Sequence, residues 1–253
     1  MTEYQKDLME NFDKYTIGID DTFQFKCRAC GKCCKNREDI ILTARDLFNI
    51  AKKLGMTHEA VMEKYCDRYI GRDSRLPVVR LQPCGVSRSC PLLADKRCMV
   101  HDSKPVVCAM FPIGRVRMNP DIPDDSKIET KLAGTAFIIN PVICGSISRT
   151  HTVRSWLEKF GIPAYDKFFE SWTDLCIYLC QFTAKLTEMG TSEDLMMTVC
   201  QLIGCLLYWH YDTEKEFMPQ YEENVSALKG ELSKMMSLLE LGHKKLEGGD
   251  TSE

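Results

Sequence analysis

The chain reads as an α+β protein: a loop-rich, cysteine-cluster front half with short strands and two helices, packed on a C-terminal helical half of about three helices. Three observations predict this. Four cysteines stand within the eight residues from Cys27 to Cys34, residues 77–141 carry short apolar runs broken by Pro, Asp and Gly, and beyond Thr150 apolar side chains recur at three- and four-residue steps. The first marks a knuckle that no apolar core would hold. The second reads as short strands between long loops, and the third as amphipathic helices.

Residues 1–24 form an N-terminal arm, with six acids before Phe23 and few apolar pairs. Residues 25–148 make up the cysteine-cluster region, where Gly31 is placed to turn the backbone with positive φ inside the knuckle. Thr43-Ala-Arg-Asp46 predicts a capping box, opening a helix that carries Leu47, Ile50, Ala51 and Leu54 and stops at Gly55. A second helix is expected from Thr57 to about Ile70, ended by Gly71. Val78–Leu81 and Ala136–Ile139 read as strands. Residues 149–242 form the helical region. Tyr165, Phe168, Phe169, Trp172, Leu175, Cys176, Leu179, Phe182, Leu186 and Met189 predict one long helix. A second opens at Thr191-Ser-Glu-Asp194 and carries Leu195 to Trp209; a third covers about 220–241. Residues 243–253 read as a disordered tail.

Composition limits the function classes. At 253 residues with 44% apolar and 27% charged residues, the chain has the make-up of a soluble globular protein that folds by burial. No apolar run reaches the ~18 residues of a membrane helix, so no membrane partner is expected. The first residues lack the basic stretch and apolar segment of a secretory signal, which predicts a cytoplasmic protein. A net charge of -3 offers no broad basic field to a phosphate backbone, so nucleic acid is not an expected partner.

Cysteine is the anomaly. Of 14, nine fall in the 82 residues from Cys27 to Cys108. In a reducing compartment, clustered thiols at short regular spacing bind metal or do redox chemistry rather than pair as disulfides. Cys27, Cys30 and Cys33 form C-x2-C-x2-C, a knuckle that brings successive sulfurs to one centre. Cys34 follows directly, and because neighbouring side chains tend to point apart, the pair is more easily shared between two centres than chelated to one, so two metal sites or one polynuclear site are expected. Cys90, Cys98 and Cys108 lie in loops stiffened by Pro91, Pro105 and Pro112, and Cys144 precedes Gly145. These eight are the candidate ligands, two sets of four, for zinc or an iron–sulfur cluster, with metal ions as the expected partners. Lys26, Arg28, Lys32, Lys35, Arg37 and Lys104 stand among them, and positive charge favours the thiolate. Cys66, Cys176, Cys180, Cys200 and Cys205 read as core residues. Cys84 is a reserve ligand, and His101 reads as a solvated loop histidine three residues after Cys98.

These motifs resemble the YkgJ family of cysteine-cluster proteins, the CxxCxxCC zinc- or iron-chelating domain, which includes flagellin N-methylase. The resemblance runs from about Phe25 to Cys144. It rests on Cys27-Arg-Ala-Cys30-Gly-Lys-Cys33-Cys34, on Cys90-Pro-Leu-Leu93 and on Lys104-Pro-Val-Val-Cys108-Ala-Met-Phe-Pro112. Lys104 and Ala109 stand where the family commonly has arginine; lysine retains the charge without the bidentate fork, and alanine retains neither. The resemblance implies a metal-binding protein. Its alternative implication is a metal-cluster-dependent protein-lysine N-methylase that uses S-adenosylmethionine on a protein substrate. No Gly-x-Gly-x-x-Gly follows a predicted strand, so a Rossmann-type seat for that methyl donor is absent from the sequence.

Overall fold

The computed structural model describes residues 6–7, 10–28, 30–95, 97–117, 135–141 and 144–247, the last six by backbone alone. Of the expected disordered tail at 243–253, residues 243–247 instead continue the last helix, while residues from 248 on, like part of the N-terminal arm, lie outside the described residues. In chain order the elements are α1 (Phe12–Tyr15), β1 (Thr16–Ile17), β2 (Thr22–Lys26), α2 (Ala44–Leu54), α3 (His58–Tyr65), β3 (Cys66–Ile70), β4 (Pro77–Leu81), β5 (Leu93–Ala94), β6 (Arg97–Cys98), α4 (Val106–Met110), β7 (Ile113–Arg117), β8 (Thr135–Ile139), β9 (Ser146–Thr152), α5 (Val153–Glu158), α6 (Lys167–Glu188), α7 (Glu193–Gly204) and α8 (Phe217–Glu247). The fold is α+β, as the sequence predicts. The chain divides into two compact units, one drawn from Met1–Leu42, Tyr65–Asp67 and Arg80–Asp174, the other from Thr43–Lys64, Arg68–Val79 and Leu175–Glu253.

The first unit is built on small sheets. β1, β8 and β7 form one, in that order and antiparallel. β2 pairs antiparallel with β9, Phe23 opposite His151 and Lys26 opposite Ser146, with a register shift between Gln24 and Lys26. Alternation explains the packing: Phe23 and Phe25 point inward while Thr22, Gln24 and Lys26 face out. The two rings meet Trp156 edge-on, at 5.9 and 5.6 Å between centroids. Ile19, Met110, Ile113, Phe137, Val153 and Leu157 complete this core. The indole N–H of Trp156 donates to the Met110 carbonyl at 3.0 Å, so the buried ring leaves no donor unpaired.

One ion pair of this unit is buried. Arg115 and Asp166 have side chains only 3% exposed and meet at 3.3 Å, and Arg115 also donates to the Pro163 carbonyl at 2.6 Å. Removing one partner strands the other charge without solvent. Asp166→Ala is therefore expected to destabilise the protein by about 3–5 kcal/mol, read by urea unfolding, whereas a loss under about 1 kcal/mol, the scale of an exposed pair, contradicts the burial.

The second unit is helical. Its entry is the expected capping box, in which the Thr43 hydroxyl accepts from the Asp46 amide and Asp46 accepts from the Thr43 amide. Leu47, Phe48, Ile50 and Ala51 then face inward. α6 and α8 match the predicted long helices. α7 is capped by Ser192, one residue later than the predicted Thr191 position, and continues through a wider helical turn at Cys205–Trp209.

One helix differs from its sequence pattern. The segment predicted as helix to about Ile70 is helical only to Tyr65; Cys66-Asp-Arg-Tyr-Ile70 becomes β3 and pairs with β4. Tyr69 and Ile70 suit an extended chain, and the Val-rich strand that follows supplies a ladder that local helical spacing cannot foresee.

In this unit His58 is 3% exposed, stacked on Tyr211 and against Phe48. Burial holds its pKa below the ordinary histidine value. The folded state thus binds this proton less readily than the unfolded chain. Its contribution to stability is full above about pH 6.5 and is lost as pH falls below that value, by at most about 1.4 kcal/mol per pH unit. His58→Phe should flatten this part of the stability–pH curve; an unchanged slope between pH 6.5 and 5 contradicts the assignment.

Candidate metal centre

Three separate stretches of the first unit deliver the predicted ligands. The knuckle follows β2: Gly31, at φ 67, turns the chain into one tight helical turn at Lys32–Cys34. Cys33 and Cys34 lie there with their sulfurs 3.9 Å apart. The segment Cys84–Cys90 runs beside the knuckle. Lys35 bridges to Ser89, the Asn36 amide donates to the Arg88 carbonyl at 3.0 Å, and the Cys90 amide donates to the Cys34 carbonyl at 2.7 Å. One backbone hydrogen bond therefore ties Cys34 to Cys90.

Cys90 is linked onward by local pairing. The Leu93 amide donates to the Cys90 carbonyl, and the β5–β6 hairpin sets Leu93 opposite Cys98. Leu92 and Val100, both fully buried, anchor the hairpin. Cys108 sits on α4, whose last residue, Met110, has its carbonyl held by the Trp156 indole N–H.

The third stretch is Cys144–Gly145 at the head of β9. Gly145 has φ 82, and a Cβ there would lie 2.6 Å from the Phe25 ring and 2.8 Å from the Lys26 carbonyl oxygen. Only glycine lets the chain come this close while delivering Cys144 to the knuckle. Gly145→Ala is expected to destabilise the unit by more than about 1 kcal/mol and to lower its metal content, read by thermal unfolding and elemental analysis; full metal loading with unchanged stability contradicts this role.

Charge couples the three stretches. Cys33 is the hub: its thiol is held below the ordinary range, first because the Cys34 S–H donates to it, then by Cys144 and its own backbone amide, with Lys104 adding positive charge. Cys34, the donor of that pair, is pushed up, and feels Cys90 and Cys108 as well as Cys33. Burial raises Cys90 and Cys98, each within reach of the Cys33 charge, and raises Cys144 to about 11. The Cys30 thiol is lowered, first by the Lys32 backbone N–H and also by that of Gly145. Cys27 acts on Cys144, and Arg37 on Cys33 and Cys108. All eight predicted cysteines lie in the first unit. Among the described residues, no three Cys, His, Asp or Glu side chains stand at chelating distance from one point.

The remaining sulfurs fall outside this group or at its margin. Cys84 bridges to Ser89 and is exposed, close enough to raise Cys90. His101 is exposed and faces Asp102 at 3.6 Å. Cys66 and Cys200 are buried, and the Cys200 thiol donates to the Arg75 carbonyl at 3.3 Å. Cys176, Cys180 and Cys205 lie half-buried on helices of the second unit.

Sequence reasoning missed two contributors. The β2–β9 pairing brings Cys144 to the knuckle, and its only sequence trace is the alternation in Thr22-Phe-Gln-Phe-Lys26 and the β-branched Ser146–Thr152 run. Lys104 was visible among the basic residues, but not its place over the Phe160 ring, 4.3 Å from Nζ to centroid, which fixes the ammonium within reach of Cys33 and Cys98.

No helix among the described residues is long and apolar enough to cross a membrane. No curated protein and no solved structure matches the chain. The CxxCxxCC family model, described as a putative zinc- or iron-chelating domain, matches residues 26–144, beginning just before Cys27 and ending at Cys144. The matched span, a little under half of the chain, contains all three cysteine-bearing stretches and is what this chain is similar to.

Proposed function

We propose that the eight thiols grouped about Cys33 hold a polynuclear thiolate-ligated metal centre, with Cys27, Cys30, Cys33, Cys34, Cys90, Cys98, Cys108 and Cys144 as its ligands. The observation that carries this reading is geometric: one backbone hydrogen bond ties Cys90 to Cys34, and the β2–β9 ladder with the close approach at Gly145 sets Cys144 beside the knuckle. The donor set is all sulfur, which suits zinc and iron–sulfur clusters and excludes a hard cation such as magnesium or calcium. The Cys33 and Cys34 sulfurs, 3.9 Å apart, are too close for independent sites and stand at the spacing of two thiolates that share one metal or one polynuclear centre. Lys104 offsets part of the negative charge that several thiolates bring to a metal. Metal binding draws the sulfurs inward to chelating distance, coupling the ion to the folding of these loops.

When bound, an iron–sulfur cluster supplies electron-transfer or Lewis-acid chemistry, and zinc a structural staple. C-x2-C-x2-C spacing favours iron–sulfur. Anaerobic purification followed by a visible spectrum and elemental analysis tests the reading. The expected result is a brown protein with more than one iron and matching acid-labile sulfide per chain. Stoichiometric zinc in a colourless protein moves the centre to zinc, and a properly prepared protein free of both contradicts the proposal.

A further inference from the structure

A cavity of about 380 Å3 lies against the knuckle, lined by Arg28, Lys32, Gln24 and Ser146 together with Cys30 and Cys144. Its volume is that of a small-molecule site. Among the described residues, every charged side chain in the lining is a cation. Gln24 and Ser146 add an amide and a hydroxyl, groups that hydrogen-bond an oxyanion directly.

Surface cations usually point into solvent and bind nothing. Here the backbone that carries them is anchored. Gln24 comes from β2 and Ser146 from β9, and these strands are locked by their ladder and by the close approach at Gly145. Arg28 and Lys32 flank Cys30 on the knuckle that those strands hold. Two cations focused on one cavity raise the local concentration of anions.

We infer that this cavity binds a small organic oxyanion, a carboxylate or a phosphate ester, with the Arg28 guanidinium as a bidentate donor and the Lys32 ammonium as a point charge. The inference rests on the metal reading above in one respect: Cys30 and Cys144 are shared, so the bound anion stands beside the metal centre and gives it a substrate side. A purely structural staple has no use for such a pocket.

The test is isothermal titration of the metal-loaded full chain with succinate in one arm and inorganic phosphate in the other, with elemental analysis of every sample. Saturable one-to-one binding is expected in at least one arm, and the arm that binds identifies the oxyanion. R28Q/K32Q should weaken it by at least about tenfold, the worth of one charge-assisted hydrogen bond. Ile147→Glu alters a cavity-lining side chain that is 76% exposed, leaves the sulfurs and both cations in place, and should weaken binding severalfold by adding a carboxylate. Metal-loaded protein that gives no saturable heat in either arm, or equal affinity in both variants, overturns the inference. Protein that binds the anion but carries no metal overturns the metal reading instead.

Discussion

Cys33→Ser and Cys108→Ser are each expected to release most of the bound metal and to unfold the first unit at lower denaturant, while Cys176→Ser keeps its metal. Cys33 is the hub of the charge-coupled group, and Cys108 reaches Cys34 from a different stretch of chain. A serine hydroxyl does not ionise to replace the thiolate, so metal affinity should fall by at least about 100-fold, and with it the folding energy the ion contributes. Cys176 lies on α6 in the second unit, where burial, with the neighbouring Cys180, pushes its thiol up to about 11. Its serine variant should cost about 1–3 kcal/mol of stability for a hydroxyl in apolar surroundings and no metal. Elemental analysis of the three variants decides the matter, and equal metal loss from all three contradicts the division between ligand and core sulfurs.

The second large effect is expected at Trp156. Truncation to alanine removes a ring packed against Phe23, Phe25 and Phe160 and strands the Met110 carbonyl. A loss of about 3–5 kcal/mol follows from the cavity alone. The Met110 carbonyl closes α4 two residues after Cys108, so the substitution should also loosen that ligand and lower metal affinity. Trp156→Phe fills most of the volume but lacks the N–H, which separates the two effects: it should recover most of the stability and only part of the metal affinity. A Trp156→Ala protein with native stability contradicts the packing account.

How much of this could be read from the chain alone depends on the range of the interaction. Local signals were legible: Thr43 and Asp46 form their capping box, Gly31 takes its positive φ, and the long apolar periodicities become α6 and α8. Strand pairing was not, because the ladder between β2 and β9 joins residues more than a hundred positions apart. The same limit acted at Cys66–Ile70, where helical spacing lost to a neighbouring strand. For the centre, spacing identified the knuckle, but the joining of Cys34 to Cys90 by a single backbone hydrogen bond and the delivery of Cys144 by β9 are tertiary facts. The charge offset by Lys104 depends on its seat over Phe160, which no local motif encodes.

X-ray absorption at the metal edge is the most direct measurement of what surrounds the ion. On the metal-loaded chain it should report a first shell of sulfur only, at about 2.3 Å if the metal is zinc, with a metal–metal distance in the next shell. A first shell dominated by nitrogen or oxygen, or an isolated metal with no second metal nearby, would contradict a polynuclear centre built from the thiols around Cys33.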